Sequence, residues 1–375
     1  MQDRLLMSKD RIVAAIDAKY NIKVFRRDLL PHMIRAASVN YDDIIHGWEN
    51  TRALNLGRTN AKAILNTLRL PQNNNYAIAA AFHFASLKDT FWMQDEQENL
   101  KWKDVSLFSN TFDKIVLNAA LTGEQKLILG NTQKLYTPET STDGMSAKCW
   151  NKDEDGQIWL YKVGKKELYA SALLDHLGVD HVEYSFVPQD ELLTIITPER
   201  FEAIVSKNEI VTKCECITSE DVGIITWYDF MEFCHKNNAD PYEELFADKN
   251  NEKAYHKMQV SDYILANEDR HGANWGFFVD QNTGEILGLH PLFDHDHAFS
   301  TQKDIPSQTA QYPSSLKEAA LQSIEYLKED EEFIRNVMEL EISDTFPYKS
   351  LIDEHISEIK AEYQREQPDI FDLEL

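Results

Sequence analysis

Two polar stretches constrain this 375-residue chain more than any other feature. They are Asn267 to Gly276 (NEDRHGANWG) and Pro291 to Phe299 (PLFDHDHAF). The first follows a helical pattern that ends near Leu265. The second follows GFFVDQNTGEILGLH, where Asn282-Thr283-Gly284 is expected to be a turn joining two short strands. Asp269 and Asn274 therefore stand five apart, with Asp294 arriving from beyond a hairpin. Phosphoryl transfer asks for such a set. One carboxylate orients or deprotonates an attacking hydroxyl, while an amide oxygen and a second carboxylate hold Mg²⁺ against phosphates. These are hard oxygen ligands, suited to magnesium rather than to a soft metal.

Such chemistry also needs a cation on the phosphates. In QIWLYKV, strand alternation puts Ile158, Leu160 and Lys162 on one face, so the lysine projects beside apolar residues able to line an adenine pocket. KKELYASALLDHLG reads as a helix stopped by Gly178, and its first turn places Glu167 to pair with Lys162. Upstream, STDGMSAKCW is a turn-rich loop in which Gly144 lets backbone N–H groups approach phosphate.

Around these residues the chain divides into three. Residues 1–130 read mostly as helices (RIVAAIDAKY, RRDLLPHMIRAA, TNAKAILNTLRL, YAIAAAFHFASL), forming a helical N-terminal region. Residues 131–217 read as a small β-rich lobe, with QKLYTP, QIWLYKV, HVEYSFV, ELLTIIT and EIVTKCECIT as short strands. Residues 218–375 return to helices. Composition is ordinary for a globular protein, at 43% hydrophobic and 27% charged. The net charge of −25 sets nucleic acid and anionic membranes aside as direct partners. No secretion signal and no membrane-length apolar run is present, and four cysteines are too few for a disulfide framework, so a cytoplasmic, reducing setting is expected.

DYILANEDRHGANWG with PLFDHDHAF resembles the catalytic core of HipA-like kinases, which include CtkA-type bacterial serine/threonine kinases and are distantly similar to phosphatidylinositol kinases. TDGMSAKCW…IWLYK…KKELYASALLDHLGVDHVEYSF resembles that family's small lobe, and together the similarity spans roughly residues 135–300. The resemblance implies an α+β, two-lobed protein-kinase-like fold behind a helical N-terminal extension, and an ATP- and Mg²⁺-dependent transfer to Ser or Thr of a protein. It implies Asp269 as catalytic base, Asn274 and Asp294 as magnesium ligands, Lys162 on the ATP phosphates and Glu167 positioning Lys162. Backbone groups near Glu215 and Cys216 would meet the adenine. Autophosphorylation in the phosphate loop, at Ser141, Thr142 or Ser146, and an antitoxin or regulatory protein partner belong to the same implication. The sequence departs from a Gly-rich phosphate loop and has no glycine after Phe293-Asp294.

Other readings compete. A degraded kinase would act as a binding or regulatory module, and a lipid kinase would use the same core. His290, His295 and His297 with Asp294 and Asp296 suggest a metal-dependent hydrolase. HGWENTRALNLGRTNAKAIL, with Arg52, Arg58 and Lys62, suggests a helix-turn-helix. Arg270 and His271 are expected to order the catalytic loop, and STQKDIPSQTAQYPSSL, from Ser300, to be an irregular, mobile loop.

Overall fold

A computed structural model describes residues 3–35, 41–126 and 135–366. Its first sheet overturns the helical reading of the N-terminal region. Strands β1 (Arg4–Ser8), β2 (Arg11–Ile16), β3 (Ile22–Val24) and β4 (Phe91–Asp95) form an antiparallel sheet in the order β3-β2-β1-β4. RIVAAI is thus a strand, not a helix. Ile12, Val13 and Ile16 are β-branched, and a six-residue apolar run is too short for periodicity to distinguish the two. Its neighbour β1 is then flanked by β4, which comes from about eighty residues away and which local sequence does not announce. Helices Tyr41–Asn50, Ala61–Leu68, Asn75–Ala80 and Lys114–Thr122 complete a mixed α/β region.

A second sheet contains β5 (Lys148–Lys152), β6 (Ile158–Val163), β7 (Ser185–Phe186) and β8 (Val211–Glu215), in the order β5-β6-β8-β7. Helix Lys166–Leu177 follows β6 and ends as expected at Gly178, whose φ of 66° suits a residue without a Cβ. Two expected strands do not form among the described residues. ELLTIIT opens inside a short helix, Gln189–Leu192, where Pro188 starts the turn and Asp190 and Glu191 favour its N-terminus. In QKLYTP, Gln133 and Lys134 lie outside the described residues, and Leu135 to Thr137 form no strand.

The third sheet joins β9 (Val222–Thr226), β10 (Gly276–Asp280) and β11 (Ile286–Leu289), in the order β11-β10-β9. The expected turn lies between β10 and β11, with Gly284 at φ 74°. Helices Trp227–Lys236, Lys249–Ile264, Leu316–Tyr326, Glu331–Glu339 and Lys349–Glu366 surround it, packing on a core that includes Trp227, Trp275, Phe277 and Leu265. Residues 300–315 carry no helix or longer strand, yet their middle is anchored. Thr309 is buried, its carbonyl accepts from the Tyr255 and Tyr242 hydroxyls, and its hydroxyl accepts from Gln259 Nε2 at 2.7 Å. No described helix is long and apolar enough to cross a membrane.

Candidate active site

Between the second and third sheets lies a cavity of about 450 Å³. Gly144, Ser146, Leu160, Lys162, Glu215, Cys216, Asp269, Asn274 and Asp294 all line it. These residues come from five separate parts of the chain, and the fold gathers them at one place.

Lys162 is 3% exposed, and its ammonium bonds both Glu167 and Asp294 Oδ1. Glu167 does not line the cavity. It sits behind Lys162 in the first turn of helix Lys166–Leu177, and its other oxygen accepts the backbone N–H of His295 at 2.9 Å. One carboxylate therefore ties the lysine strand to the peptide that follows Asp294. Burial opposes charge on all three groups. Asp294 and Glu167 nonetheless hold the Lys162 ammonium above its ordinary range, and Lys162 holds both carboxylates well below theirs. The three are ionised together across the neutral range.

Asp269 and Asn274 are positioned by a buried arginine. Arg270, 1% exposed, donates through Nε to Asp262 Oδ2 at 3.0 Å, on helix Lys249–Ile264. Its Nη1 donates to the carbonyls of Asn274 at 3.0 Å and Phe293 at 2.5 Å. Arg270 thus fastens the loop 267–276 to the helix before it and to the segment leading into Asp294. Asn274 Nδ2 donates to the Asp269 carbonyl at 2.9 Å, which leaves its amide oxygen for another partner. Asp269 itself has a side chain 36% exposed. His271 lines the same cavity, with its ring parallel to that of Tyr228 at 6.4 Å. Asp294 adopts φ 62°, a left-handed conformation uncommon outside glycine and in keeping with the strain found at functional sites. Where no glycine follows it, the aspartate makes the turn itself.

The donors fit a magnesium ion. Asn274 Oδ1 and the Asp294 carboxylate are hard oxygens in a cavity with room for phosphates, and Mg²⁺ is commonly held by one or two protein oxygens with the rest from phosphate and water. A histidine metal centre finds no such support. Among the described residues no group of three or more His, Cys, Asp or Glu side chains is placed to hold an ion. His290 is tied to the Pro291 carbonyl, and His295 is buried beside Glu167.

The main chain expected to meet adenine needs one refinement. The Cys216 N–H is already committed to the Ile158 carbonyl at 2.9 Å. By the alternation of an antiparallel ladder, Glu215 turns its backbone groups to the opposite edge of β8, beyond the two-residue β7. Glu215, not the Cys216 amide, has its main chain available.

Sequence reasoning missed Lys148. It lies directly across the ladder from Lys162, is 4% exposed, lines the cavity and forms no ion pair among the described residues. Burial and then Lys162 push its ammonium below the ordinary lysine range. Gly144, at φ 84°, leaves room for it, because a Cβ there would stand 2.2 Å from Lys148 Nζ. Only the strand register reveals this second cation. Ser86, Leu87 and Lys88 of the N-terminal region also line the cavity, and Lys88 pairs with Asp143, next to Gly144. The helix-turn-helix reading fares worse. Arg52 and Arg58 are buried in ion pairs with Asp89 at 2.5 Å and Glu139 at 2.6 Å, so neither is presented to DNA.

Comparison with known proteins agrees with this layout. A match to the phosphatidylinositol 3- and 4-kinase family model covers residues 204–342, which include Asp269, Asn274 and Asp294. HipA, in the Shewanella oneidensis MR-1 toxin–antitoxin complex of HipA, HipB and operator DNA, is similar across 99% of this chain and 100% of its own, with a TM-score of 0.54 and 10% identity. This chain shares the fold of HipA. The Helicobacter pylori proinflammatory kinase CtkA is similar over 62% of this chain and 95% of its own, with a TM-score of 0.43 and 15% identity. No curated protein sequence matches the chain.

Proposed function

We propose that the chain is an ATP- and Mg²⁺-dependent kinase that transfers the γ-phosphoryl group to a Ser or Thr hydroxyl of a protein. The observation that carries this reading is Lys162, held between Glu167 and Asp294 in the cavity that also contains Asp269 and Asn274. In this reading residues 131–217 are the small lobe, 218–375 the helical lobe and 1–130 a region whose segment 86–88 helps wall the nucleotide site. Leu160 and the Glu215 main chain receive adenine, and Gly144 and Ser146 lie along the phosphates. Asn274 and Asp294 hold the magnesium ion, which supplies charge neutralisation on the phosphates. Lys162 binds phosphate oxygens with its geometry fixed by Glu167, and Asp269 orients the acceptor hydroxyl or takes its proton. Positioning and preorganised charge do most of the work in such transfers.

The test is incubation of the full chain with γ-labelled ATP and Mg²⁺, beside Asp269→Ala and Asp294→Ala. Label on the protein or on a generic protein substrate, lost in both variants and on chelation, is the expected result. Absence of both label and ATP binding would instead leave a kinase-like binding module. Protein is favoured over lipid as acceptor because an acidic chain is ill suited to anionic membranes. An antitoxin-type partner in the cytoplasm fits the same reading, since the HipA relative was solved in complex with HipB.

Autophosphorylation is assigned to Ser146. Its hydroxyl bonds Asp296 in the cavity, whereas Ser141 and Thr142 are tied to the Pro138 carbonyl. A phosphate there would repel Asp296 and block ATP.

Lys148 contributes a second cation to the phosphates. Lys148→Met should weaken ATP binding about tenfold or more, the value of a hydrogen bond to a charged group. It should also raise the melting temperature by a few degrees, because it removes a buried charge facing Lys162. Calorimetric ATP titration and thermal melts check both. A drop in melting temperature would show that the charge is compensated in the free protein.

A further inference from the structure

The segment from Thr137 to Lys148 brings Gly144 and Ser146 to the large cavity, yet it holds a single glycine. A run of glycines can shape a loop through its own backbone freedom, and this loop lacks one. Its path is instead gripped by residues of the N-terminal region. Arg58, 2% exposed, bonds both ends of it. Its Nη2 donates to Glu139 Oε2 at 2.6 Å and to the Lys148 carbonyl at 2.5 Å, and its Nη1 to the Glu139 carbonyl at 3.1 Å. The other carboxylate oxygen of Glu139 accepts the Trp150 N–H at 2.7 Å. One buried guanidinium therefore closes the base of the loop and fixes the strand start that carries Lys148.

The tip is held by the next residue and by Lys88. The Thr59 N–H donates to the Met145 carbonyl at 2.8 Å, and the Lys88 ammonium bonds Asp143. Gly144 thus lies between two anchored neighbours, with Lys148 Nζ filling the space a Cβ would need. Lys88 is itself fixed through its main chain. Its carbonyl accepts the Ile224 N–H at 2.9 Å on β9, and the carbonyl of Leu87 accepts the Thr218 hydroxyl at 2.5 Å. Two other ties on the loop, Trp150 Nε1 to the Thr142 hydroxyl at 2.9 Å and Ser146 to Asp296, fall on either side of residues 143–145. Among the described residues, those three are tied down from the N-terminal region.

We propose that Arg58 and Lys88 are positioning residues for phosphate binding: the N-terminal region sets Gly144 against the ATP phosphates and Lys148, the task that glycines perform in a loop that shapes itself. The inference rests on the kinase reading above and adds to it a role for residues 1–130. Nucleotide affinity then depends on Asp143 through the Lys88 clasp, although a carboxylate in that lining would by charge alone repel phosphate. The two effects have opposite signs, which makes the clasp testable.

The experiment measures calorimetric ATP–Mg²⁺ affinity and, without nucleotide, hydrogen exchange of the Thr59 amide, whose acceptor is the loop tip. It uses the full chain as wild type, Lys88→Met, Lys88→Arg, Asp143→Asn and the double variant Lys88→Met/Asp143→Asn. Lys88 and Asp143 have side chains 26% and 53% exposed, so the fold tolerates these changes. Lys88→Met and Asp143→Asn should each weaken ATP binding about two- to fivefold, the range of an exposed ion pair. The double variant should be no weaker than either single one, as for two members of one interaction, and Lys88→Arg should retain wild-type affinity. Thr59 exchange should quicken in the variants that bind ATP less well. Arg58→Lys keeps the charge but cannot make all three bonds at once, and should weaken ATP binding by about tenfold or more. Should that variant melt early, the Lys88 and Asp143 variants decide alone.

Weaker binding in Lys88→Met with unchanged or tighter binding in Asp143→Asn makes Lys88 a direct phosphate contact and overturns the clasp. Wild-type affinity and wild-type Thr59 exchange in both single variants confine these ties to support of the fold, and overturn it as well. Either result leaves the kinase reading standing. A wild type that binds no ATP removes the kinase reading, and this inference with it.

Discussion

Lys162→Met is expected to abolish phosphoryl transfer, by at least about 10²–10³-fold, the usual cost of removing one preorganised charge donor. The same change should destabilise the protein by about 3–5 kcal/mol, because it leaves two buried carboxylates without their cation. Glu167 is 2% exposed and Asp294 has a side chain 17% exposed. In the wild type both carboxylates are held below the ordinary range despite burial. Their contribution to stability is present above the unfolded values near pH 4 and is lost only as pH falls through the depressed folded values. Without Lys162, burial dominates and the folded values rise above the unfolded ones. The folded state then binds more protons than the unfolded state, and stability increases as pH falls. The variant should therefore melt at a higher temperature at pH 5 than at pH 8, while these groups give the wild type no such trend. Lys148, the remaining buried cation, is positioned to recover part of the loss through Asp294. Thermal melts across pH check the sign. A flat profile in the variant would show that water replaces the lysine.

The same triad shows why part of the molecule was legible in its sequence. Lys162 and Glu167 are five residues apart at a strand–helix junction, and Asp269, Asn274 and Asp294 lie within one loop–hairpin unit. Local periodicity and turn chemistry are enough to place such residues. Lys148 became a site residue only through its register against Lys162, which no short-range pattern specifies. The N-terminal sheet was misread for a related reason. β1 is completed by β4, and the apolar run RIVAAI is equally compatible with a helix until its partner strand is known. Lys88 lies in a segment without a motif and gains meaning only where the N-terminal region meets Asp143 at the cavity wall. Chemistry concentrated in one motif can be read from spacing. Chemistry assembled across distant segments requires the fold.

Asp269→Asn should separate catalysis from binding in a way that Lys162→Met cannot. Asp269 has a 36% exposed side chain, and its fixed contribution to the loop is its main-chain carbonyl, which accepts from Asn274 Nδ2. An asparagine keeps that carbonyl and nearly the same volume. The loop is held by Arg270, through Asp262, Asn274 and Phe293, and none of those bonds involves the Asp269 carboxylate. Stability should therefore stay within about 0.5 kcal/mol of the wild type, as at exposed positions generally. Affinity for ATP with Mg²⁺ should also persist, since Lys162, Asn274 and Asp294 remain. The substitution removes the oxygen that accepts or orients the hydroxyl proton, and such a group is worth about 10²–10⁴-fold in rate. A loss of that size in kcat at unchanged ATP affinity, measured by single-turnover transfer beside calorimetric titration, is the signature of a base. Parallel loss of ATP binding would make Asp269 part of the metal–phosphate site, and the acceptor would then be oriented by another group, with His271 the nearest alternative on the same loop.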